Sequence, residues 1–153
     1  ILKDSHCGAF SVVSLVFMIL AYYSCVSTAI STSVNFMELC LIPVLSRAVA
    51  GANILLRKPI GHSQYASGAG AEDTSQKKKA CLLILAQVII FSALGLFLSS
   101  NFVATLLVIL ATALGTYLAT VYSKRQLGGM SGDIAGFSIV WGELAGIFAM
   151  LVL

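Results

Sequence analysis

Ten consecutive residues near the C-terminal end gather unusual chemistry for so oily a chain: Lys124-Arg125-Gln126-Leu127-Gly128-Gly129-Met130-Ser131-Gly132-Asp133. Glycine lets a backbone approach a ligand closely and take up positive φ, and an Asp closing such a loop can cap the helix that follows. The stretch is either a grip for a polar ligand at a membrane surface or cavity, or a basic loop that only fixes topology and ends in an N-cap. Two further charges, Arg47 and Glu143, stand in apolar surroundings. A charge inside a bilayer costs at least ~2.5–3.5 kcal/mol, so each is expected to face the bundle interior with a partner. Either they pair and hold two helices together, or Arg47 lines the floor of an anionic-substrate cavity with Glu143 orienting it. Glu38, near the outer end of its helix, is expected to be solvated and is given no role.

The elements that carry these residues follow from composition. The chain has 153 residues, 59% hydrophobic and 10% charged, with a mean hydropathy of +0.99. A soluble domain has roughly 25% charged residues, so this chain has too little polar surface to be one. The expected fold class is all-α, a polytopic transmembrane bundle forming a single integral membrane domain over residues 1–153. Five apolar segments approach the ~20 residues that span a bilayer: 10–30, 36–56, 80–100, 102–122 and 134–153. Positive residues mark the N-terminal end, the 57–79 connection and the 124–133 connection, whereas the first and third connections lack them. Alternate connections share a side, and the Lys/Arg bias makes that side cytoplasmic in a cell (inner) membrane. The Lys77-Lys78-Lys79 run is expected to anchor lipid headgroups.

Small residues four apart, Ala111, Gly115 and Ala119 and then Gly142 and Gly146, have the spacing that lets membrane helices approach. The four cysteines lack metal or CxxC spacing, so neither zinc nor disulfides are inferred. The Gly68-Ala69-Gly70 piece follows no strand, which argues against a dinucleotide fold. No nucleic-acid partner is expected; the lipid bilayer is. The chain opens on Ile1 inside a polar cluster, as a protein entered in the middle would.

With these pieces placed, the chain resembles the C-terminal part of the cobalamin synthase (adenosylcobinamide-GDP ribazoletransferase) family. Ile1-Leu2-Lys3-Asp4-Ser5-His6-Cys7-Gly8 is similar to the family's I-M-R/K-D-S-R-x-G. Leu45-Ser46-Arg47-Ala48, with Tyr65 and Gly68-Ala69-Gly70 downstream, is similar to its S-R stretch and Y-A-R-x-x-G-L-G loop. The strongest match sets residues 124–133, Gly136 and Glu143 against K-R-x-L-G-G-x-T-G-D-x-x-G and a following glutamate. The chain departs from the pattern at His6, where the family usually has Arg, and at Val140, where it often has a glutamate. The family's upstream D-G-x-x-D-x-x-D-G block lies outside this sequence.

The resemblance implies a late step of cobalamin assembly. α-Ribazole or its 5′-phosphate displaces GMP from adenosylcobinamide-GDP, with Mg²⁺ as cofactor, in a phosphotransferase-type reaction. It implies Asp4, Arg47 and Asp133 as catalytic residues, Asp4 being the candidate metal ligand. Ser5, Lys124, Arg125, Gly128, Gly129, Gly132 and Glu143 would bind substrate. Asp133 could instead hold metal, bind a sugar hydroxyl or cap the fifth helix. Residues 1–153 alone are expected to be inactive. Outside the resemblance, a small transporter would use Arg47 and Glu143 as a midplane site, but the inverted repeats it calls for are not visible. A structural membrane subunit would need no such polar cluster. CDP-alcohol phosphotransferases would require D-G-x-x-A-R, which is missing from this sequence.

Overall fold

The computed structural model describes residues 9–31, 36–57, 60 and 74–153. They form five helices: α1 (Ala9–Ser31), α2 (Phe36–Leu56), α3 (Thr74–Leu98), α4 (Phe102–Leu127) and α5 (Gly132–Val152). All five are long and apolar enough to cross a membrane. Contacts divide the chain into two units, Ile1–Val34 and Asn35–Leu153. In the first, α1 is an apolar helix whose late hydroxyls are satisfied locally, Thr28 donating to Ser24 O and Ser31 to Thr28 O.

The second unit is built around α2, which packs on α3, α4 and α5, while α4 and α5 form the most extensive helix pair. That pair closes through small residues. A Cβ at Gly115 would lie 2.8 Å from Ala145 Cβ, and one at Gly142 would overlap Thr116, so the expected close approach is realised there. The stripe buried continuously on α4 is different, namely Thr105, Val108, Thr112, Thr116, Thr120 and Ser123. Each of Thr112, Thr116 and Thr120 donates its hydroxyl to the carbonyl four residues back, at 2.8 Å. These side chains therefore bury without an unsatisfied hydroxyl.

The helices outrun the apolar windows at the basic end. α3 begins at Thr74, so Lys77-Lys78-Lys79 lie in a helix and not in a loop. α4 runs to Leu127 and includes Lys124 and Arg125 in its last turn. Lys and Arg are good helix formers, and at a C-terminus they face the favourable end of the helix dipole.

Glu38 corrects an expectation. It is buried, and its Oε1 accepts a 2.7 Å hydrogen bond from Thr105, whose hydroxyl also lies 2.5 Å from Ser99 Oγ. Three polar side chains from α2, α4 and the turn before α4 thus satisfy one another where solvation was expected.

Candidate functional site

The residues marked out by sequence fall into two groups. The interior group is Ser46, Arg47 and Glu143. Arg47 Nη1 donates to Glu143 Oε1 at 2.5 Å and to the Pro43 carbonyl at 3.1 Å, and Ser46 Oγ donates to the same Glu143 oxygen at 3.1 Å. Pairing Arg47 with Glu143 was one of the two readings of these charges, and it is the observed contact. The carboxylate side chain is 11% exposed and the guanidinium side chain 61%. The exposed part of Arg47 borders a groove of about 310 Å³ lined by Pro43, Val44 and Ala48 of α2 and by Ile84 and Gln87 of α3. Arg47 therefore has one nitrogen fixed by a buried acid and the rest of its fork turned to a cleft. Ser46 and Gln87 were not singled out as functional; Gln87 was legible only as a lone amide within an apolar span.

The surface group is the α4–α5 connection, and its glycines have local causes. Gly128 takes φ +78° and ψ 0° as the C-cap of α4, and its N–H donates to Lys124 O at 2.9 Å. Only glycine adopts that left-handed turn without strain. Its N–H is thus engaged within the chain. Gly129 makes room for another strand of backbone: a Cβ there would sit 3.1 Å from Ile60 N and 3.2 Å from Ile60 Cα. The Ile60 N–H donates to Met130 O at 2.9 Å, and Met130 is buried among Ala50, Ile54, Ile60, Ile134, Ala135 and Ile139. Ser131 is the N-cap of α5, its Oγ accepting from Ile134 N at 3.3 Å.

The cap is Ser131, so of the three roles open to Asp133 that of helix cap is filled by another residue. Asp133 sits in the first helical turn, exposed, where a carboxylate suits the dipole. Gly132 opens that turn. Among the described residues Lys124, Arg125 and Asp133 form no ion pair with one another or with anything else. The two helix ends that this short connection joins thus present three charges that no described residue engages.

The two groups are not one pocket. Glu143 lies ten residues along α5 from Asp133, roughly 15 Å at the helical rise. Asp4 and Ser5 lie outside the described residues, as do Tyr65, Gly68, Ala69 and Gly70. Among the described residues no three His, Cys, Asp or Glu side chains come together as a metal site would require. The free thiols Cys25, Cys40 and Cys81 take no part in either group.

The family model of cobalamin-5-phosphate synthase matches residues 1–151. The chain belongs to the cobalamin-5-phosphate synthase family. Similar relatives carry the name adenosylcobinamide-GDP ribazoletransferase. Proteins of two Clostridium perfringens strains, strain 13 and SM101, are 34% and 33% identical over 98% of this chain. One from Listeria monocytogenes EGD-e is 29% identical over 100% of it. In each case the chain spans 58% of the relative's length. No solved structure matches the chain significantly. For this cobalamin-5-phosphate synthase family member, the match covers both groups of residues as well as the undescribed Asp4 and Ser5.

Proposed function

We propose that the whole protein is a transferase that joins adenosylcobinamide-GDP to α-ribazole or its 5′-phosphate, releasing GMP, and that the 124–133 segment grips the diphosphate. The observation that carries this reading is the loop itself: its backbone is pinned by Gly128, Gly129 and Ser131, yet Lys124, Arg125 and Asp133 are left unengaged among the described residues. When GMP leaves, negative charge grows on the phosphoryl oxygens. Cations already fixed near those oxygens stabilise that charge without having to reorganise. Lys124 and Arg125 are suited to this role, and Asp133 to a sugar hydroxyl or a metal. The groove beside Arg47 would hold a second, deeper part of the substrate, with Glu143 and Ser46 orienting the guanidinium.

Mg²⁺ belongs to the same proposal, with Asp4 as this chain's ligand. The described residues do not make a magnesium centre by themselves. A single carboxylate supplies too few ligands for an octahedral ion, so residues 1–153 alone are expected to be inactive. The protein would lie in the cell (inner) membrane with its 57–79 and 124–133 segments cytoplasmic. A cysteine at Ser131, in a background lacking the native cysteines, should then be shielded from impermeant thiol reagents in intact cells, and labelling from outside would reverse the topology.

The decisive experiment measures GMP release from adenosylcobinamide-GDP by the full-length protein in membranes, normalised to protein level. Arg125→Ala should lose the charge-assisted contact, about 2–4 kcal/mol in the transition state, or roughly 30- to 1000-fold in rate. Lys78→Ala, in the run read as a headgroup anchor, should stay within about twofold. A near-normal rate for Arg125→Ala would reduce the loop to a topology signal.

A further inference from the structure

The residue just after α2 was read only as one charge of a topology-setting connection, but it is held in a particular way. Arg57 Nε donates to Asn53 Oδ1 at 2.7 Å. Asn53 is itself buried, and its Nδ2 donates to Val49 O at 2.9 Å, so the amide that holds Arg57 cannot turn freely. The guanidinium carbon sits 5.4 Å from the centre of the Tyr117 ring, within cation–π range. One nitrogen and one face of the fork are thereby fixed. Neither Nη makes a hydrogen bond to another described residue.

Its position matters as much as its pose. Tyr117 and Lys124 lie on one face of α4, seven residues or about 10 Å apart. Three residues beyond Arg57, Ile60 is bonded to Met130 inside the 124–133 loop. Arg57, beside the Tyr117 ring, and Ile60, bonded to the connection between the other unengaged charges, are therefore only three residues apart in sequence.

We propose that Arg57 is a further substrate-binding residue, a pre-oriented arm whose two free Nη groups take a pair of phosphoryl oxygens of the diphosphate. This rests on the reading that the loop grips that diphosphate. A planar fork anchored at Nε and stacked on an aromatic ring loses little freedom on binding, and its paired N–H groups match two phosphate oxygens. A cation that merely reached for the membrane surface would need neither the Asn53 anchor nor the ring, and lysine would replace it without loss. Tyr117 and Asn53 are then positioning residues.

The test uses the full-length protein and inorganic pyrophosphate as a competitor against adenosylcobinamide-GDP, at fixed free magnesium. Arg57→Lys, which keeps the charge, should raise the inhibition constant of pyrophosphate about tenfold or more. Tyr117→Phe keeps the stack and should stay within about twofold, while Tyr117→Leu should shift the constant in the direction of Arg57→Lys. A folding defect would lower the amount of active protein without moving an inhibition constant. The measurement is made both in phospholipid vesicles and in phosphate-free maltoside micelles. A shift confined to vesicles would assign Arg57 to lipid headgroups and overturn the proposal. A wild-type constant for Arg57→Lys beside a raised one for Arg125→Ala would overturn it while leaving the loop reading intact. If neither variant shifts, or pyrophosphate does not compete with the wild type, both readings fall.

Discussion

Arg47 and Arg125 are both arginines that sequence alone would place in the same catalytic apparatus, yet their surroundings are opposite. Arg47 has a serine-supported carboxylate and a backbone carbonyl around it. Arg125, in the last turn of α4, has no ion-pair partner among the described residues. In the first region the protein answers its own charge; in the second it leaves the charge for something else to answer. The difference separates what a charge does for the bundle from what it can do for a ligand.

Removing Arg47 should break this contrast most severely. Arg47→Leu removes the cation paired with the buried Glu143 carboxylate, at about 3–5 kcal/mol of stability. Adding Glu143→Leu should recover much of that loss, because neither charge is then uncompensated. Thermal unfolding of the purified protein in detergent checks both. A stable single variant, or a double variant worse than either single, would mean that the pair does not hold α2 to α5.

A smaller effect is expected where backbone meets backbone. Gly129→Val places a side chain against Ile60 N and Cα, and overpacking of this kind costs about 1–3 kcal/mol. It should also raise protease sensitivity at the α4–α5 connection. Unchanged stability and protection would show that Ile60 is free to step aside.

The smallest change in stability belongs to Arg125→Ala, within about 0.5 kcal/mol of wild type, because an exposed cation without a partner contributes little to folding. Stability that stays put while GMP release collapses is the pattern that sharpens the comparison. A large drop in stability would place Arg125 with Arg47 after all.

The parts legible in advance were those written in long-range averages. Five apolar runs of bilayer length gave five helices among the described residues, and a pairing of the lone charges Arg47 and Glu143 was one of two readings their placement left open. Helix ends were harder, since Lys124 and Arg125 are as compatible with a helix as with a loop, and the choice fell to Gly128. Ser131 took the cap, one of three roles open to Asp133, because it stands one residue before the helix starts, a register that hydropathy does not carry. Glu38 looked solvated from its place near a span end; its Thr105 partner is 67 residues away in sequence and shows no local signal. Likewise the Asn53–Arg57–Tyr117 arrangement combines a helical spacing of four with a contact between helices that only packing reveals.

The threonines of α4 have a consequence for the order in which the molecule is put together. Thr112, Thr116 and Thr120 return their hydroxyls to their own helix, so α4 can settle into lipid before any neighbour exists. Arg47 has no such independence: its counter-charge lies 96 residues later in the chain. During synthesis α2 carries an unanswered cation until α5, the last of the five helices, has emerged. Among the described helices it is α5 that answers Arg47, and whatever shields Arg47 in the interval has to come from outside that ion pair.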